Sequence, residues 1–125
     1  MKKNIIVVDD DKGILTLLKF VLEKDYNVFL AGNGATALQT LDDNLFNPDL
    51  IISDLNMPYL NGQSLINQLR ISGFYRSIPI LVLSANDHLE EEVNKLSSPV
   101  EAFSKKPFNP TELKQTIARV LQANN

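Results

Sequence analysis

The sequence predicts a single α/β domain, a three-layer, doubly wound (βα)5 fold around a five-stranded parallel sheet. Two observations carry this. Short apolar runs rich in β-branched residues alternate regularly with longer segments of helical periodicity. The runs are also apolar throughout rather than alternating, as strands covered by helices on both faces must be. With 125 residues, 44% of them hydrophobic, the chain can bury one core, and the expected unit spans residues 1–125.

Ile5-Ile6-Val7-Val8 has the length of a buried strand and is too short for a stable helix. Ile14 to Lys24 reads as a helix, and Val28 to Ala31 as the second strand. Gly34 to Phe46 reads as a second helix with Ala37, Leu38, Leu41 and Leu45 on one side. Asp49 to Ile52 is the third strand and runs into Ser53-Asp54, after which Pro58 and Asn61-Gly62 break the chain. Ser64 to Ile71 forms a third helix. Ile78 to Leu83 reads as the fourth strand, with Pro79 tolerable only near its start. Leu89, Val93 and Leu96 mark a fourth helix, and Ala102-Phe103 a weak fifth strand. The last helix has the clearest start, with Asn109 as N-cap, Pro110 at N1 and Glu112 at N3. Leu113, Ile117, Val120 and Leu121 form its apolar stripe.

Composition narrows the chemistry. There is no cysteine, which excludes disulfides, thiolate catalysis and cysteine metal sites, and His88 is the only histidine. The formal net charge of −3 offers no basic patch for nucleic acid, so no direct nucleic-acid binding is expected. No apolar run approaches the roughly 20 residues that cross a bilayer. The four apolar residues before Asp9 are too few for a secretory signal, so a cytoplasmic location without membrane contact is expected.

Polar residues fall at the ends of the predicted strands. Asp9 and Asp10 follow the first, Asp54 ends the third, Ser84 ends the fourth and Lys106 follows the fifth. In a parallel sheet these positions share one edge, where ligands of open α/β sheets bind. Three close carboxylates repel one another unless a cation compensates. A hard divalent ion with oxygen ligands answers this, and Mg2+ fits best, with Mn2+ a substitute. The expected ligands are Asp9, Asp10, Asp54 and the backbone carbonyl of Asn56. Asp54, at the centre of the sheet, is the expected nucleophile for an aspartyl phosphate. Lys106 would pair with a phosphoryl oxygen and Ser84 would donate to another.

These residues resemble those of a response-regulator receiver domain, of the kind found in two-component signalling and chemotaxis regulators. The resemblance rests on Val7-Val8-Asp9-Asp10-Asp11, Asn33-Gly34 with Ala37-Leu38, Pro48 through Pro58, Asn61-Gly62, Leu83-Ser84-Ala85 and Lys106-Pro107-Phe108. It covers essentially the whole chain. It implies a flavodoxin-like sheet of order 2-1-3-4-5, a phosphoacceptor role for Asp54 and Mg2+ binding by Asp9 and Asp10. Ser84 and Phe103 would be the switch residues, and Lys106-Pro107 a cis peptide bond. The implied phosphoryl donor is a phosphohistidine on a sensor histidine kinase or histidine phosphotransfer protein. Such a protein catalyses its own phosphorylation and dephosphorylation and is not a conventional turnover enzyme.

The first helix is more apolar than one buried stripe requires. At 100° per residue its Ile14, Leu15, Leu17, Leu18, Val21 and Leu22 span about 160°, and Phe20 falls outside that arc. The resemblance implies that Ile14, Leu17 and Pro107 dock the phosphoryl donor. The downstream partner is a protein target or an output domain not present in this chain. A monomer or a weak phosphorylation-dependent dimer is expected. The sequence also departs from the family. Ser97 to Ala102 lacks the usual glycine, which points to a short or late fourth helix and an unusual loop. Phe103 stands in place of the commoner tyrosine and has no hydroxyl to bond. Asn56 and Asn86, each two residues beyond a site residue, offer no general base. Two other readings are open. An aspartate-nucleophile phosphatase would carry an acid at the Asn56 position and a cap segment. A receiver-like binding module would never be phosphorylated.

Overall fold

Five strands alternate with five helices along the chain, in a computed structural model that describes residues 2–44, 47–57, 61–96 and 98–123. The elements are β1 (Lys3–Val8), α1 (Lys12–Leu22), β2 (Tyr26–Ala31), α2 (Gly34–Asp42) and β3 (Leu50–Ser53). They continue with α3 (Gly62–Ile71), β4 (Ile80–Ser84), α4 (Leu89–Asn94), β5 (Ala102–Lys105) and α5 (Pro110–Ala123). All pairings are parallel and the strand order is β2-β1-β3-β4-β5, as the resemblance implied. Leu45 and Phe46 of the expected second helix, Pro58 of the expected break, Ser97 and the tail residues Asn124 and Asn125 lie outside the described residues.

The strand period of two divides the core. Ile5, Val7, Ile52, Leu81 and Leu83 face α1 and α5, packing on Leu18, Leu22, Ile117 and Leu121. Ile6, Val8, Ile51, Ile80 and Val82 face the opposite layer, with Leu41, Leu65, Ile66, Leu69 and Leu89. Both faces are buried, which is why the strands read as continuous apolar runs. Each wholly buried Ile or Leu contributes about 1.5–3 kcal/mol from burial alone.

Several boundaries differ from expectation, each for a local reason. Helix α1 begins at Lys12 rather than Ile14, because the Asp11 carboxylate accepts the Gly13 and Ile14 N–H groups at 2.8 and 3.3 Å. Helix α2 ends at Asp42 rather than continuing to Phe46. Asn44 adopts φ 55° just beyond it, the left-handed conformation that closes a helix. Strand β3 starts at Leu50, because Asp49 uses its carboxylate to accept the Asn4 N–H at 2.8 Å. Strand β4 starts at Ile80 and not Ile78. The Ile78 N–H is spent on the Tyr75 carbonyl at 3.1 Å, and Pro79 has no N–H to give. Helix α3 starts at Gly62, capped by Asn61, whose Oδ1 accepts the Ser64 N–H at 2.9 Å. Helix α4 is only six residues long and leaves Leu96 outside it, in line with the short helix expected before the unusual loop. Asn109 caps α5 as expected, accepting the Glu112 N–H at 3.1 Å.

Candidate functional site

Asp9, Asp54 and Lys106 each sit one step past the last residue of their strand, and the backbone ladder follows them. The Asp9 N–H donates to Ala31 O at 3.1 Å, Asp54 N–H to Val8 O at 3.0 Å, and Lys106 N–H to Ser84 O at 2.8 Å. Each side chain therefore springs from backbone fixed by a neighbouring strand rather than from a free loop.

Asp9 is 2% exposed and Asp54 7% exposed, while Asp10 is exposed at the rim. One carboxylate oxygen from each of the three lies within 4.8 Å of the others. Lys106 Nζ sits between two of them, donating to Asp9 Oδ2 at 2.6 Å and to Asp54 Oδ2 at 3.2 Å. The remaining oxygens take backbone donors. Asp9 Oδ1 accepts the Asp11 N–H at 2.9 Å, and Asp54 Oδ1 accepts the Asn56 N–H at 3.1 Å.

Burial pushes the Asp9 carboxyl above its ordinary range, against the opposing pull of its bonds to Lys106 and the Asp11 amide. Burial alone would lower the Lys106 pKa, but the Asp9 hydrogen bond and the Asp54 and Asp9 charges outweigh it and raise it. The lysine is thus held charged between its two carboxylate partners. Three acids against one ammonium leave two negative charges, the complement of a divalent cation. The oxygen-only donor set matches a hard one such as Mg2+.

Ser84 is fully buried and its Oγ accepts the Asn56 amide Nδ2 at 3.4 Å and the Asn86 N–H at 3.3 Å. The structure therefore brings together Asp9, Asp10, Asp54, Asn56, Ser84 and Lys106. The Lys106-Pro107 peptide is cis. Phe103 is not at this edge. It pairs with Val82 on the outermost strand and is 44% exposed, facing a groove between α4 and α5 lined by Val93, Leu96, Val100 and Arg119. On α1, Ile14 is half-buried while Leu17 is 44% and Phe20 74% exposed, so the surplus apolar surface expected there exists. Pro107 is also exposed.

Two residues shape the site through contacts that the sequence did not reveal. Gly62 packs so closely on the peptide after Asp54 that a Cβ there would lie 2.1 Å from Asp54 O. In sequence Asn61-Gly62 marked a break in the chain and part of the family resemblance, and nothing there pointed to a close approach to Asp54. Glu92 accepts a hydrogen bond from the Asn86 amide, and within an acidic run it had no distinguishing mark.

Known proteins share this arrangement. The family profile for the response regulator receiver domain matches residues 5–118. The alkaline phosphatase synthesis transcriptional regulatory protein PhoP of Bacillus subtilis is 36% identical over 98% of this chain and 50% of its own length. The sensor histidine kinase TmoS of Ectopseudomonas mendocina is 32% identical over 94% of this chain but 12% of its own length. The chain spans about half the length or less of these curated relatives. The crystal structure of the chemotaxis response regulator CheY4 of Vibrio cholerae superposes with a TM-score of 0.83 at 31% identity, covering 96% of this chain and 99% of that one. Among the described residues no helix is long and apolar enough to cross a membrane. With acids, hydroxyl and ammonium gathered at the carboxyl edge of a 2-1-3-4-5 sheet, and the profile matched along nearly its whole length, the chain belongs to the response regulator receiver domain family.

Proposed function

We propose that residues 1–125 form one receiver domain that takes a phosphoryl group onto Asp54 and signals through protein contacts. The observation that carries this is the placement of Asp54. It is nearly buried, anchored to β1 through its backbone, and within hydrogen-bond reach of Lys106, with Asp9 and Asp10 completing the acid trio.

In this reading an Asp54 oxygen attacks the phosphorus of a phosphohistidine. The new P–O bond forms as the P–N bond breaks, and the leaving imidazole takes a proton from solvent. Asp9, Asp10, Asp54 and the Asn56 carbonyl hold Mg2+, for which Mn2+ can substitute. The ion supplies charge compensation for the phosphoryl oxygens. Lys106 passes from bridging two carboxylates to pairing with a phosphoryl oxygen, and Ser84 donates its hydroxyl proton to another. Hydrolysis reverses the state: water attacks phosphorus, the P–O bond to Asp54 breaks, and inorganic phosphate leaves. Neither Asn56 nor Asn86 can act as a base for that water, so access of water sets the phosphoryl lifetime.

The phosphoryl donor is a phosphohistidine protein docking on Ile14, Leu17 and Pro107. The similarity to part of a sensor histidine kinase supports that donor class. The domain acts in the cytoplasm, as a monomer or weak phosphorylation-dependent dimer, without contacting nucleic acid itself. Incubation with acetyl phosphate and Mg2+, followed by intact-mass spectrometry, tests the reading. One phosphoryl group should add to the wild type and none to Asp54→Ala. Equal labelling of both proteins would end it.

A further inference from the structure

The loop from Ser84 into α4 is organised by one side chain. The Asn86 N–H donates to Ser84 Oγ at 3.3 Å, Asn86 Oδ1 accepts the His88 N–H at 2.7 Å, and Asn86 Nδ2 donates to Glu92 Oε1. His88 stands at the N-cap of α4 but makes no side-chain cap bond, so Asn86 satisfies its backbone from two residues upstream. Glu92 lies one turn into the helix, with its own N–H on His88 O at 3.0 Å. An unbroken chain of hydrogen bonds thus runs from the buried Ser84 hydroxyl to the body of α4.

A hydroxyl has one proton and two lone pairs. The Asn56 amide and the Asn86 N–H point at the lone pairs, which leaves the proton to give. When the hydroxyl swings to donate to an anion on Asp54, Oγ moves and the Asn86 N–H loses its acceptor. A part-buried N–H cannot stay unpaired cheaply, so the loop must readjust. Asn86 is bonded at its other end to Glu92, and the readjustment is therefore passed to the helix. The second bridge from β5 to this loop, Lys105 Nζ to Asp87 Oδ1 at 2.5 Å, is exposed on both partners and constrains the loop weakly.

We propose that Asn86 and Glu92 form a polar relay that converts movement of the Ser84 hydroxyl into displacement of the first turns of α4. Both are positioning residues, since neither touches the reacting atoms. The trigger rests on the phosphoacceptor reading of Asp54, but the relay itself is present in the resting protein. It is separate from Phe103, which has no hydroxyl and faces the groove between α4 and α5.

The test uses the isotope-labelled full chain and the backbone amide shifts of residues 89–94. In the resting protein, Ser84→Ala removes the acceptor of the Asn86 N–H and should shift these amides. The shift should be lost in an E92A background and regained with E92Q, because glutamine keeps the accepting Oε1 without the charge. Mg2+ with beryllofluoride gives a second arm with the same expected order. An undiminished α4 shift with E92A overturns the relay, and so does an E92Q variant that behaves like E92A. If the wild-type amides at residues 54–56 ignore beryllofluoride, the phosphoacceptor reading fails, and the Ser84→Ala series still decides the relay.

Discussion

Replacing Gly62 by alanine probes how tightly the site is built. The added Cβ would lie 2.1 Å from Asp54 O, 2.6 Å from Leu55 Cα and 2.9 Å from Asp54 C. All three are backbone atoms, so no flexible side chain can swing away. Either the start of α3 or the Asp54–Leu55 peptide must move by roughly 1 Å, an overpacking cost of about 1–3 kcal/mol. Alanine favours a helix over glycine by at most about 1 kcal/mol, and less at its first residue, so the clash wins. Urea unfolding should show Gly62→Ala destabilised by about 1–2 kcal/mol at unchanged slope. Acetyl phosphate should label it more slowly than the wild type, because the displaced peptide carries Asp54. Gly73 is the control. Nothing lies within 4 Å of a Cβ there and its φ is not positive. Gly73→Ala should be neutral or stabilising by about 0.4–1 kcal/mol through the unfolded chain. A Gly62→Ala protein as stable as the Gly73→Ala protein would refute the steric argument.

Lys106→Met leaves Asp9 and Asp54 facing each other without a cation. In chelator it should lose about 1–3 kcal/mol, less than a fully dry pair would cost, and Mg2+ should raise its Tm more than it raises the wild type's; a Tm equal to that of the wild type in chelator would contradict this. Tyr75 gives a pH signature. Partial burial first, then the hydrogen bond and charge of Asp42, raise its phenol pKa above the ordinary 10.0. The folded state holds that proton more tightly, so this stabilisation is complete below pH 10.0 and is lost as pH rises through the folded value. Asp42→Asn should flatten the alkaline slope of stability, measured by urea midpoints across that range. Leu17→Glu, on an exposed turn of α1, should change stability by no more than about 0.5 kcal/mol. It should slow transfer from a phosphohistidine donor while labelling by acetyl phosphate stays normal; equal impairment of both would argue against docking there.

The fold was legible because both signals it needs are local. Strands buried on two faces, such as Ile5–Val8, leave uninterrupted apolar runs, and polar residues at their ends locate one edge of the sheet. What escaped depends on contacts. Strand β5 read weakly because it is an edge strand whose residues alternate between half-buried and exposed, so Ser104 and Lys105 carry no apolar mark. The end of α2 hinged on the backbone of Asn44, and the start of α1 on whether Asp11 capped or joined the acids beside it. Arg70 binds the carbonyls of Arg76, Ile78 and Pro99 as well as the Glu101 carboxylate, tying two loops to the end of α3 at the opposite end of the sheet. No spacing rule joins residues that far apart in the chain. The Asn86–Glu92 bond joins residues close in sequence, but it depends on how the loop after β4 folds back on α4, which no local pattern reports.

The ladder bonds at Asp9, Asp54 and Lys106 turn the sheet into a ruler. Neighbouring strands are about 4.8 Å apart, so the stems of the first two acids are metered by one such step. Lysine comes from two steps beyond β3, a gap of about 10 Å at the backbone that short cationic chains fail to cross. Insertions between elements can lengthen any turn without altering these spans. A single-residue slip of β1 against β3 would rotate Asp9 into the helix layer and dismantle the cluster at once.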